Sequence, residues 1–561
     1  MMAEMTGAQA MFEIMVREGV RYVFGNPGTT ELPLIDLFAA RDEIEYVLAL
    51  HEDSALGMAA GYADATGSAA VVNLHTNPGV AHALANLYNA YRTSTPLIVT
   101  AGQQDTRAMI DDPLLCADLL DLTRQHSKWV WEAHHASEVP LVMARAFKVA
   151  QTPPTGPVFV SLPVNVMEER AEIELPPITR IGARIRGDRA AINEAARVLS
   201  GARSPTIVAG DGCARSGALG AIVRLAEALA ARVYTEPLNA YLNFPTGHPM
   251  YAGALTANAR QTRSDLEGSD VLLIIGATNL APLVYTGIRM IPGDARLIQI
   301  DVDADELGKA HAVEVALLGD PRSIVEELID VLGSFFSGEI EKGIASRRGL
   351  LATSIKASRA RFIDEALKTD DTGLMSPCYV AREMRLAASS NAVLVDESIT
   401  SSPCLRAMFE LNEPDSYFHA KAGALGMGIP VAIGAKLAMP DRQVLCAVGD
   451  GCALYAIQAL WSAARYKVAV VFIVFNNTSY MVLKGGLLAL GGESVKKGVF
   501  TGMDLTEPEI DFVELAESMG VAGRRVSRAG ELRPALDWAL GESGPTLLDV
   551  RIAREVRSTL R

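Results

Sequence analysis

Long apolar runs and basic character are both missing from this sequence. No stretch of about 18 apolar residues is free of charged residues, so we expect no membrane-spanning helix. The N-terminal MMAEMTGAQAMFEIMVREGV has neither the basic start nor the apolar centre of a signal peptide, and its pattern predicts an amphipathic helix. Lys and Arg number 51 against 66 Asp and Glu, which gives a net charge of −15. We therefore expect no nucleic-acid partner, because such partners are bound by a basic face.

Closely spaced cysteine pairs are also missing. The six cysteines form no CxxC motif. In a chain of 561 residues this pattern predicts reduced thiols and a cytoplasmic location. Hydrophobic residues make up 49% and charged residues 21%, which is typical of a globular, soluble protein and excludes a disordered one.

Short apolar runs alternate with helical patterns through most of the chain. This alternation predicts βαβ units, and hence an α/β fold whose parallel sheets are flanked by helices. Three blocks show it, at 1–180, 185–340 and 370–555, and we predict one domain from each. The segments between the blocks, 174–183 and 334–354, are predicted linkers. The clearest predicted strands lie at 22–24, 46–49, 69–74, 97–101, 158–162, 206–209, 271–275, 296–301, 392–396, 443–448, 468–475 and 546–550.

A Gly-Asp-Gly motif at 449–451 comes at the carboxyl end of one of these strands. A helix is predicted over 452–465, and the next strand ends at Asn476 and Asn477. Open α/β sheets bind ligands at this edge, where helix N-terminal amides hold phosphates. Asp and Asn oxygens suit Mg²⁺ or Ca²⁺. A lone Gly-Asp-Gly is more often only a turn, but the second strand and its asparagines favour a site for a metal-bound phosphate.

Gly-Asp-Gly, 24 residues and Asn-Asn together resemble the signature of the thiamine diphosphate-dependent enzymes. The resemblance implies three domains in chain order, which are a pyrimidine-binding domain, a Rossmann-like middle domain and a diphosphate-binding domain. It implies Asp450, Asn477 and the backbone carbonyl of Ser479 as ligands of Mg²⁺ or Ca²⁺. The further cofactor contacts that it implies around the motif are Gly449, Gly451, Cys452 and Tyr480.

The resemblance also requires a glutamate in the first block that hydrogen-bonds the aminopyrimidine ring. Glu52, in LALHEDSALGMAAGYA, follows a predicted strand and opens a helix, as that glutamate does in the family. An isolated glutamate at a helix start is more often a surface residue that faces the helix dipole. Together with the motif at 449–477, the pattern favours the catalytic role.

Two more segments are similar to elements of the family. HAKAGALGMGIPVAIGAKLA at 419–438 implies that the Gly423 carbonyl accepts a hydrogen bond from the aminopyrimidine amine and that Leu425 supports the bent cofactor. Alone, a glycine-rich segment of this kind is also consistent with helix packing. DESITSS, which ends at residue 402, implies diphosphate contacts from Ile399 and Thr400.

Most of the chain resembles benzoylformate decarboxylase within that family. VFGNPGTTELP (23–33), NLHTNPG (73–79), PLIVTAGQQDTRAMI (96–110), GPVFVSLP (156–163) and NNTSY (476–480) match its pattern. Several of these stretches are shared with acetolactate synthase-like enzymes, so the branch is less specific than the cofactor.

The benzoylformate decarboxylase pattern implies two catalytic polar residues besides Glu52. His75 matches a proton-transfer histidine, and Thr29 stands where the family has a serine after Asn-Pro-Gly. Histidine exchanges protons near neutral pH, although a lone histidine is usually structural. Leu114 and Leu115 match apolar residues of the substrate pocket.

The sequence departs from that pattern in two places. The family's second histidine has no counterpart in GATNLAPLVYTG (276–287), where Leu283 is near its place. An aromatic residue that follows the Asn-Asn strand is also missing, and Gly486 is near its position. The resemblance therefore implies a roomier pocket at these two positions and leaves the substrate open.

These similarities imply a thiamine diphosphate- and Mg²⁺-dependent enzyme that decarboxylates an aromatic or bulky 2-oxo acid to an aldehyde through an enamine, with carboligation as a further outcome. Two alternatives remain open: an acetolactate synthase-like carboligase or carbon–carbon lyase, and a thiamine diphosphate-binding protein without turnover. FAD is not indicated, since the middle block has no GxGxxG, but it is not excluded. Because the family's Glu52 equivalent reaches the cofactor across a subunit interface, we expect a homodimer at least and a homotetramer as the full assembly.

Overall fold

Three parallel sheets of six strands each form the framework of the computed structural model, which describes residues 2–278, 280–367, 373–419 and 421–554. Helices connect the strands, as parallel pairing requires. The predicted α/β class with three parallel-sheet domains is confirmed. Residues 370 and 555, the predicted ends of the third block, lie outside the described residues.

The first sheet has the strand order β3–β2–β4–β5–β7–β6, while β1 pairs antiparallel with β8. Its central strands are buried along their whole length, which explains their continuous apolar sequences. The strands are β1 (Met2–Thr6), β2 (Tyr22–Gly25), β3 (Glu45–Leu48), β4 (Ala70–Leu74), β5 (Leu97–Gln103), β6 (Val130–Glu132), β7 (Val158–Pro163) and β8 (Arg170–Glu174). The helices are α1 (Gly7–Glu18), α2 (Leu32–Ile35), α3 (Leu37–Ala40), α4 (Glu52–Thr66), α5 (Thr76–Arg92), α6 (Leu119–Arg124), α7 (Val139–Gln151) and α8 (Val164–Glu168), with 3₁₀ turns at Thr29–Glu31, Met109–Asp111 and Ala136–Glu138.

The second sheet has the order β11–β10–β9–β12–β13–β14. Its strands are β9 (Pro205–Ala209), β10 (Arg232–Thr235), β11 (Tyr251–Ala254), β12 (Val271–Ile275), β13 (Arg296–Asp301) and β14 (Val315–Leu318). The helices around it are α9 (Arg189–Ser200), α10 (Asp211–Arg215), α11 (Leu219–Leu229), α12 (Ala259–Leu266), α13 (Pro321–Leu332) and α14 (Gly338–Ala366).

The third sheet has the order β16–β15–β17–β18–β20–β19. Its strands are β15 (Val393–Glu397), β16 (Tyr417–His419), β17 (Val444–Gly449), β18 (Val470–Asn476), β19 (Ala522–Val526) and β20 (Thr546–Arg551). The helices are α15 (Pro377–Ala387), α16 (Ser402–Met408), α17 (Gly428–Ala438), α18 (Asp450–Ala453), α19 (Ala459–Arg465), α20 (Met481–Leu490), α21 (Glu493–Lys497), α22 (Phe512–Ser518) and α23 (Ala529–Gly541), with a 3₁₀ turn at Ile399–Ser401.

Helices α4 and α17 hold the first and third sheets together. Glycines make this contact close: a Cβ at Gly61 would lie 2.2 Å from the Val431 carbonyl oxygen, and one at Gly434 would lie 1.9 Å from that of Met58. Any larger residue at these two glycines would push the helices apart. Since α4 begins at Glu52, this packing also fixes the position of the predicted catalytic glutamate.

Buried ion clusters join the middle domain to its neighbours. Lys421 Nζ lies 2.6 Å from an Asp211 carboxylate oxygen and 2.8 Å from one of Glu236, and all three side chains are buried. Arg215 donates to Asp64 of the first domain at 2.7 Å. Because removing one member of a buried pair leaves an uncompensated charge, these contacts fix how the three domains are arranged.

Three predictions need correction. The predicted linker at 334–354 is largely helical, since α14 begins at Gly338 and runs for 29 residues. Its many charged residues hid the helix, which is tied to the middle domain because Arg347 donates to the carbonyls of Ala202 and Ala230 at 3.3 Å each. The predicted helix at 452–465 is two helices, α18 and α19, separated by a turn in which Tyr455 lies against Gly426.

The third correction concerns the cysteines. Cys378 and Cys404 form a disulfide, whereas all six thiols were predicted to be reduced. The two lie on α15 and α16, which pack side by side in one apolar cluster and bring their Cα atoms to 4.7 Å. Their separation of 26 residues in the sequence gives no sign of this pairing. Among the described residues, no helix has both the length and the apolar character that a membrane crossing requires.

Candidate active site

The predicted metal ligands meet at the carboxyl edge of the third sheet. Strands β17 and β18 are parallel neighbours, with Gly449 opposite Phe475, so the residues that follow each strand emerge side by side. Asp450 begins α18 directly after β17, and Asn477 follows β18. The order of the strands therefore brings together two residues that are 27 positions apart in the sequence.

A single backbone amide shows how closely the ligand oxygens converge. The Ser479 N–H lies 2.9 Å from Asn477 Oδ1 and 3.3 Å from Asp450 Oδ2, and the other Asp450 oxygen accepts the Gly451 amide at 2.8 Å. All three predicted ligand residues are buried, and burial raises the pKa of Asp450 to about 6. A carboxylate, an amide oxygen and a backbone carbonyl are hard oxygen donors, so this set fits Mg²⁺ or Ca²⁺ in a cofactor diphosphate site.

The predicted diphosphate contacts surround this loop. A Cβ at Gly451 would lie 2.4 Å from the Tyr480 ring, so only glycine fits beneath that side chain. Cys452 is buried beside Gly449, where a Cβ would lie 3.7 Å from its Sγ. Ile399 and Thr400 lie in the 3₁₀ turn after β15, the strand that neighbours β17. The structure therefore brings the predicted diphosphate contacts of both loops to one edge.

Glu397 organises the segment that carries Gly423 and Leu425. Its fully buried carboxylate accepts the amides of Gly426 at 2.8 Å, Met427 at 3.3 Å and Gly428 at 2.7 Å. Burial raises the pKa of Glu397 to about 7. Gly423 has φ of +84° with open space around it, and Leu425 is half-buried against the core. Sequence reasoning missed Glu397, although it stands within the DESITSS segment that was singled out.

Glu52 lies at the carboxyl edge of the first sheet with two polar partners. One carboxylate oxygen is 3.4 Å from Asn26 Nδ2, and the other is 3.0 Å from His82 Nδ1. Gly79 leaves room beside it, since a Cβ there would lie 3.3 Å from the Glu52 side chain. His82 was not predicted, and it is recognisable in the sequence only as a histidine on the helix that follows His75.

His51, Glu52 and His82 lie close enough together to suggest a metal cluster, but their hydrogen bonds disfavour one. His51 Nδ1 accepts the Asp53 amide at 3.2 Å, which places the ring proton on Nε2. His51 Nε2 could bind a metal only if its proton moved to Nδ1. That change would break the hydrogen bond from Asp53 that caps α4. The rings of His51 and His82 instead stack on each other beside Glu52.

His75 is held by a buried carboxylate that sequence reasoning also missed. His75 Nδ1 lies 2.8 Å from Glu31 Oε2, and the other Glu31 oxygen accepts the Gly102 amide at 2.8 Å. Gly28 packs against the imidazole so closely that a Cβ would lie 2.1 Å from it. Thr30 Oγ1 is 3.2 Å from His75 Nδ1, whereas the predicted Thr29 is exposed. Glu31 stands in the quoted VFGNPGTTELP segment, three residues after Gly28.

The predicted pocket residues are largely uncovered in the single chain. Leu114 is 84% exposed and Leu283 is 65% exposed, while Leu115 and Gly486 are half-buried. Asn279, in the segment that carries Leu283, lies outside the described residues. Within the part of the chain that the structure describes, no hydrogen bond joins Glu52 to the three predicted metal ligands.

Family models match all three domains. Thiamine pyrophosphate enzyme, N-terminal TPP binding domain, matches residues 5–112; the central domain of these enzymes matches 192–328; and their C-terminal TPP binding domain matches 400–550. Thiamine pyrophosphate is another name for thiamine diphosphate. The predicted thiamine diphosphate is therefore confirmed.

Similar proteins span the full length of the chain. Benzoylformate decarboxylase of Pseudomonas aeruginosa is 33% identical, covering 96% of this chain and 98% of that protein. A probable acetolactate synthase large subunit of Methanococcus aeolicus is 30% identical, covering 98% and 92%. The solved structure of the thiamine diphosphate-dependent 4-hydroxybenzoylformate decarboxylase of Rhodococcus jostii RHA1 matches with a TM-score of 0.85 and 32% identity, covering 99% and 100%.

A further solved structure, benzoylformate decarboxylase from Polynucleobacter necessarius, matches with a TM-score of 0.86 and 26% identity over 98% of this chain and 99% of that one. The predicted relationship to the 2-oxo acid decarboxylases, with acetolactate synthases among the relatives, is confirmed. The chain belongs to the thiamine pyrophosphate enzyme family.

Proposed function

We propose that this protein is a Mg²⁺- and thiamine diphosphate-dependent decarboxylase that converts an aromatic or bulky 2-oxo acid to an aldehyde and carbon dioxide. The observation that carries the proposal is the edge of the first sheet. Three neighbouring strands, β3, β2 and β4, are followed by Glu52, Asn26 and His75. An acid, Glu52, and a proton carrier, His75, therefore lie at the same edge of the sheet. The similarity to two benzoylformate-type decarboxylases over nearly the whole chain supports the same activity.

Asp450, Asn477 and the Ser479 carbonyl would hold the metal with the diphosphate. The other cofactor contacts that we propose are Gly423, Leu425, Ile399, Thr400, Gly449, Gly451, Cys452 and Tyr480. When bound, thiamine diphosphate supplies the nucleophile and electron sink for decarboxylation. This division leaves proton movement and positioning to the chain's own residues.

Three residues of the first domain take the proton-handling roles. Glu52 would hold a proton for the pyrimidine ring of the cofactor, and Asn26 and His82 fix its two carboxylate oxygens. Glu31 fixes His75 through Nδ1, which leaves Nε2 to exchange a proton with the substrate. Thr29 offers a hydroxyl to the substrate carboxylate.

We propose that the substrate pocket includes Leu114, Leu115, Leu283 and Gly486. The exposure of Leu114 and Leu283 supports a pocket that is completed by a second copy of the chain. We therefore propose a homodimer at least and a homotetramer as the full assembly. Sedimentation velocity at several protein concentrations tests this, and a monomer that turns over substrate would contradict it.

Several finer assignments remain proposals. They are a pyrimidine-binding domain at 1–180, a Rossmann-like middle domain at 185–340, a diphosphate-binding domain at 370–555, and a cytoplasmic location. Limited proteolysis tests the boundaries, and cell fractionation tests the location. FAD is not indicated, and a visible absorption spectrum of the purified protein decides whether it is bound.

The activity test is a panel of 2-oxo acids, from pyruvate to benzoylformate, with carbon dioxide, aldehyde and acyloin measured for each. We expect aldehyde and carbon dioxide from the aromatic acids, and their formation to be strongly slowed in a Glu52→Gln variant. The second candidate is an acetolactate synthase-like carboligase, favoured by leucine at 283 in place of the histidine expected there and by the Methanococcus aeolicus relative. If pyruvate gave only acetolactate, the decarboxylase proposal would be wrong. Binding of the cofactor with no product from any acid would instead support a non-catalytic binder.

A further inference from the structure

The loop that follows β18 holds a threonine in a conformation that β-branched residues rarely adopt. Thr478 lies between Asn477 and Ser479 with φ of +53°. In this left-handed region Cβ crowds the backbone carbonyl, so a β-branched residue there is an outlier. Such strain persists where surrounding contacts over-determine the conformation, and it clusters at functional sites. The contacts that hold Thr478 therefore also hold the two flanking residues in place.

Arg554, three residues beyond the end of β20, supplies two of these contacts. Its Nε donates to the Asn477 carbonyl at 3.0 Å, and its Nη2 donates to Thr478 Oγ1. Thr478 Oγ1 donates in turn to the same Asn477 carbonyl at 2.8 Å. The three hydrogen bonds close a ring between the guanidinium, the threonine side chain and the backbone.

The hydrogen bonds outweigh the ion pair that Arg554 also makes. Arg554 Nη1 lies 3.7 Å from Asp504, whose carboxylate is already 2.6 Å from Lys484 Nζ. Both Arg554 and Asp504 are more than two-fifths exposed, so solvent weakens their attraction. The guanidinium fork offers two directed donors to the loop, which a lysine ammonium cannot reproduce.

We propose that Arg554 is a positioning residue for the metal site, which it clamps through Thr478. By fixing the strained residue, Arg554 directs the Asn477 side-chain oxygen and the Ser479 carbonyl toward the position of the metal. The inference rests on the proposed function, because it requires the metal ligands assigned there. The proposal predicts that Arg554 matters less for metal binding in a Thr478→Gly variant, since glycine adopts positive φ without steric cost.

The test is a titration of cofactor-free protein with thiamine diphosphate at a series of Mg²⁺ concentrations, followed by calorimetry. The variants are Arg554→Ala, Arg554→Lys, Thr478→Gly and the double variant Arg554→Ala/Thr478→Gly. Arg533→Ala is the matched control, because Arg533 pairs with Asp537 on α23 and has no part in the loop. Thermal melting of each variant shows that it is folded.

We expect Arg554→Ala to raise the Mg²⁺ concentration for half-saturation by about 10- to 100-fold, the usual effect of removing a group that supports metal ligands. Arg554→Lys recovers little of this loss, and Arg533→Ala matches the wild type. In the Thr478→Gly background, the increase in half-saturating Mg²⁺ concentration caused by Arg554→Ala is at least about threefold smaller, because the two positions act as one unit.

Two outcomes would overturn the clamp. In one, Arg554→Ala weakens Mg²⁺ binding equally with and without Thr478→Gly; in the other, the half-saturating Mg²⁺ concentration of Arg554→Ala is within about twofold of the wild-type value. Failure of the proposed function gives a different result. In that case wild-type binding of the cofactor does not depend on Mg²⁺, or Asp450→Asn leaves it unchanged. If the wild type required Mg²⁺ to bind the cofactor and Arg554→Ala required the same Mg²⁺ concentration, only the clamp would be contradicted.

Discussion

At the carboxyl edge of the third sheet, Asp450, Asn477 and Ser479 are at most 9% exposed, whereas Leu114 and Leu283 of the proposed pocket are 84% and 65% exposed. The three proposed ligand residues are joined to one another through a single amide. The leucines carry no polar group that could be fixed in that way. A charged cofactor dictates which residues bind it, while an apolar substrate only requires that enough apolar surface be present. The first region is therefore specified strongly in the sequence, and the second is specified weakly.

Glu52→Gln gives the largest expected effect, and it separates chemistry from cofactor binding. Glutamine keeps the shape of the side chain but cannot exchange a proton with the pyrimidine. We expect kcat to fall by about 10²- to 10⁴-fold, as for loss of a general acid–base group. The affinity for thiamine diphosphate, measured by calorimetry, changes little because the loop that carries the proposed metal ligands is intact.

The matched control for this prediction is Glu493→Gln, which alters an exposed glutamate on α21. It is expected to behave as the wild type. If Glu52→Gln retained near-normal turnover, the edge of the first sheet would have no part in the chemistry, and the contrast between the two regions would lose its functional meaning.

Glu31→Gln is expected to have the next largest effect. The carboxylate holds His75 Nδ1 and the Gly102 amide, so the amide variant leaves the imidazole without a fixed proton position. We expect kcat to fall by about 10- to 100-fold, with cofactor affinity unchanged. The separate changes in kcat and KM are the deciding measurement, since loss of a proton-transfer role lowers kcat and leaves KM near the wild-type value.

A histidine with only a structural role would give another pattern. Glu31→Gln would then lower the melting temperature and leave kcat of the folded protein as it is in the wild type. Thr29→Ser is the matched variant at the neighbouring exposed position, and it keeps the hydroxyl that we assign to the substrate.

How much of this site the sequence predicts follows from the kind of signal that each residue leaves. Asp450 and Asn477 stand at the ends of two apolar strands that the sequence shows clearly, at 443–448 and 468–475, and the structure places these strands at Val444–Gly449 and Val470–Asn476. Glycines that are needed for close approach, such as Gly451 beneath Tyr480, are part of the same motif. The roles of all these residues remain predictions.

Residues that act through others leave no such signal. Glu31, Glu397 and Arg554 each hold a neighbour by hydrogen bonds that depend on the tertiary structure, so their spacing follows no period. The helix α14 was missed because charged residues lie on most of its sides, and a sequence with this many charges is also typical of a linker.

Leu283→Ala tests the weakly specified region. If Leu283 contacts the substrate in the assembled enzyme, its truncation lowers kcat/KM for bulky aromatic 2-oxo acids by about 10-fold and leaves the value for pyruvate within about threefold. Cofactor affinity is expected to be unchanged. Steady-state kinetics with both substrates provide the measurement, and Leu350→Ala, which alters an exposed leucine on α14, is the control.

An equal change for the large and the small substrate would show that Leu283 does not contact the part of the molecule that differs between them. The pocket would then have to be sought elsewhere. The metal and cofactor assignments would stand, since they do not depend on Leu283.

Glu397→Gln gives the smallest expected effect on activity, and it tests whether the strongly specified region is stabilised by a titrating carboxyl. Burial raises the folded-state pKa of Glu397 to about 7, from about 4.5 in the unfolded chain. Between about pH 4.5 and pH 7 the folded protein holds a proton on Glu397 that the unfolded chain has released. The stabilisation is therefore complete below about pH 4.5 and is lost as the pH rises through 7, with about 3 kcal/mol as the upper limit. Asp53 has its pKa raised to about 7 in the same way and contributes a parallel dependence.

The measurement is the melting temperature of the cofactor-free protein between pH 5 and 8. The wild type is expected to lose stability over this range, and Glu397→Gln is expected to lose less because its amide does not titrate. Glu410→Gln, at an exposed position, should follow the wild type. Parallel curves for Glu397→Gln and the wild type would mean that the carboxylate stays ionised throughout. The three amides of Gly426, Met427 and Gly428 would then outweigh the effect of burial, and the segment that carries Gly423 would be held by charge at every pH.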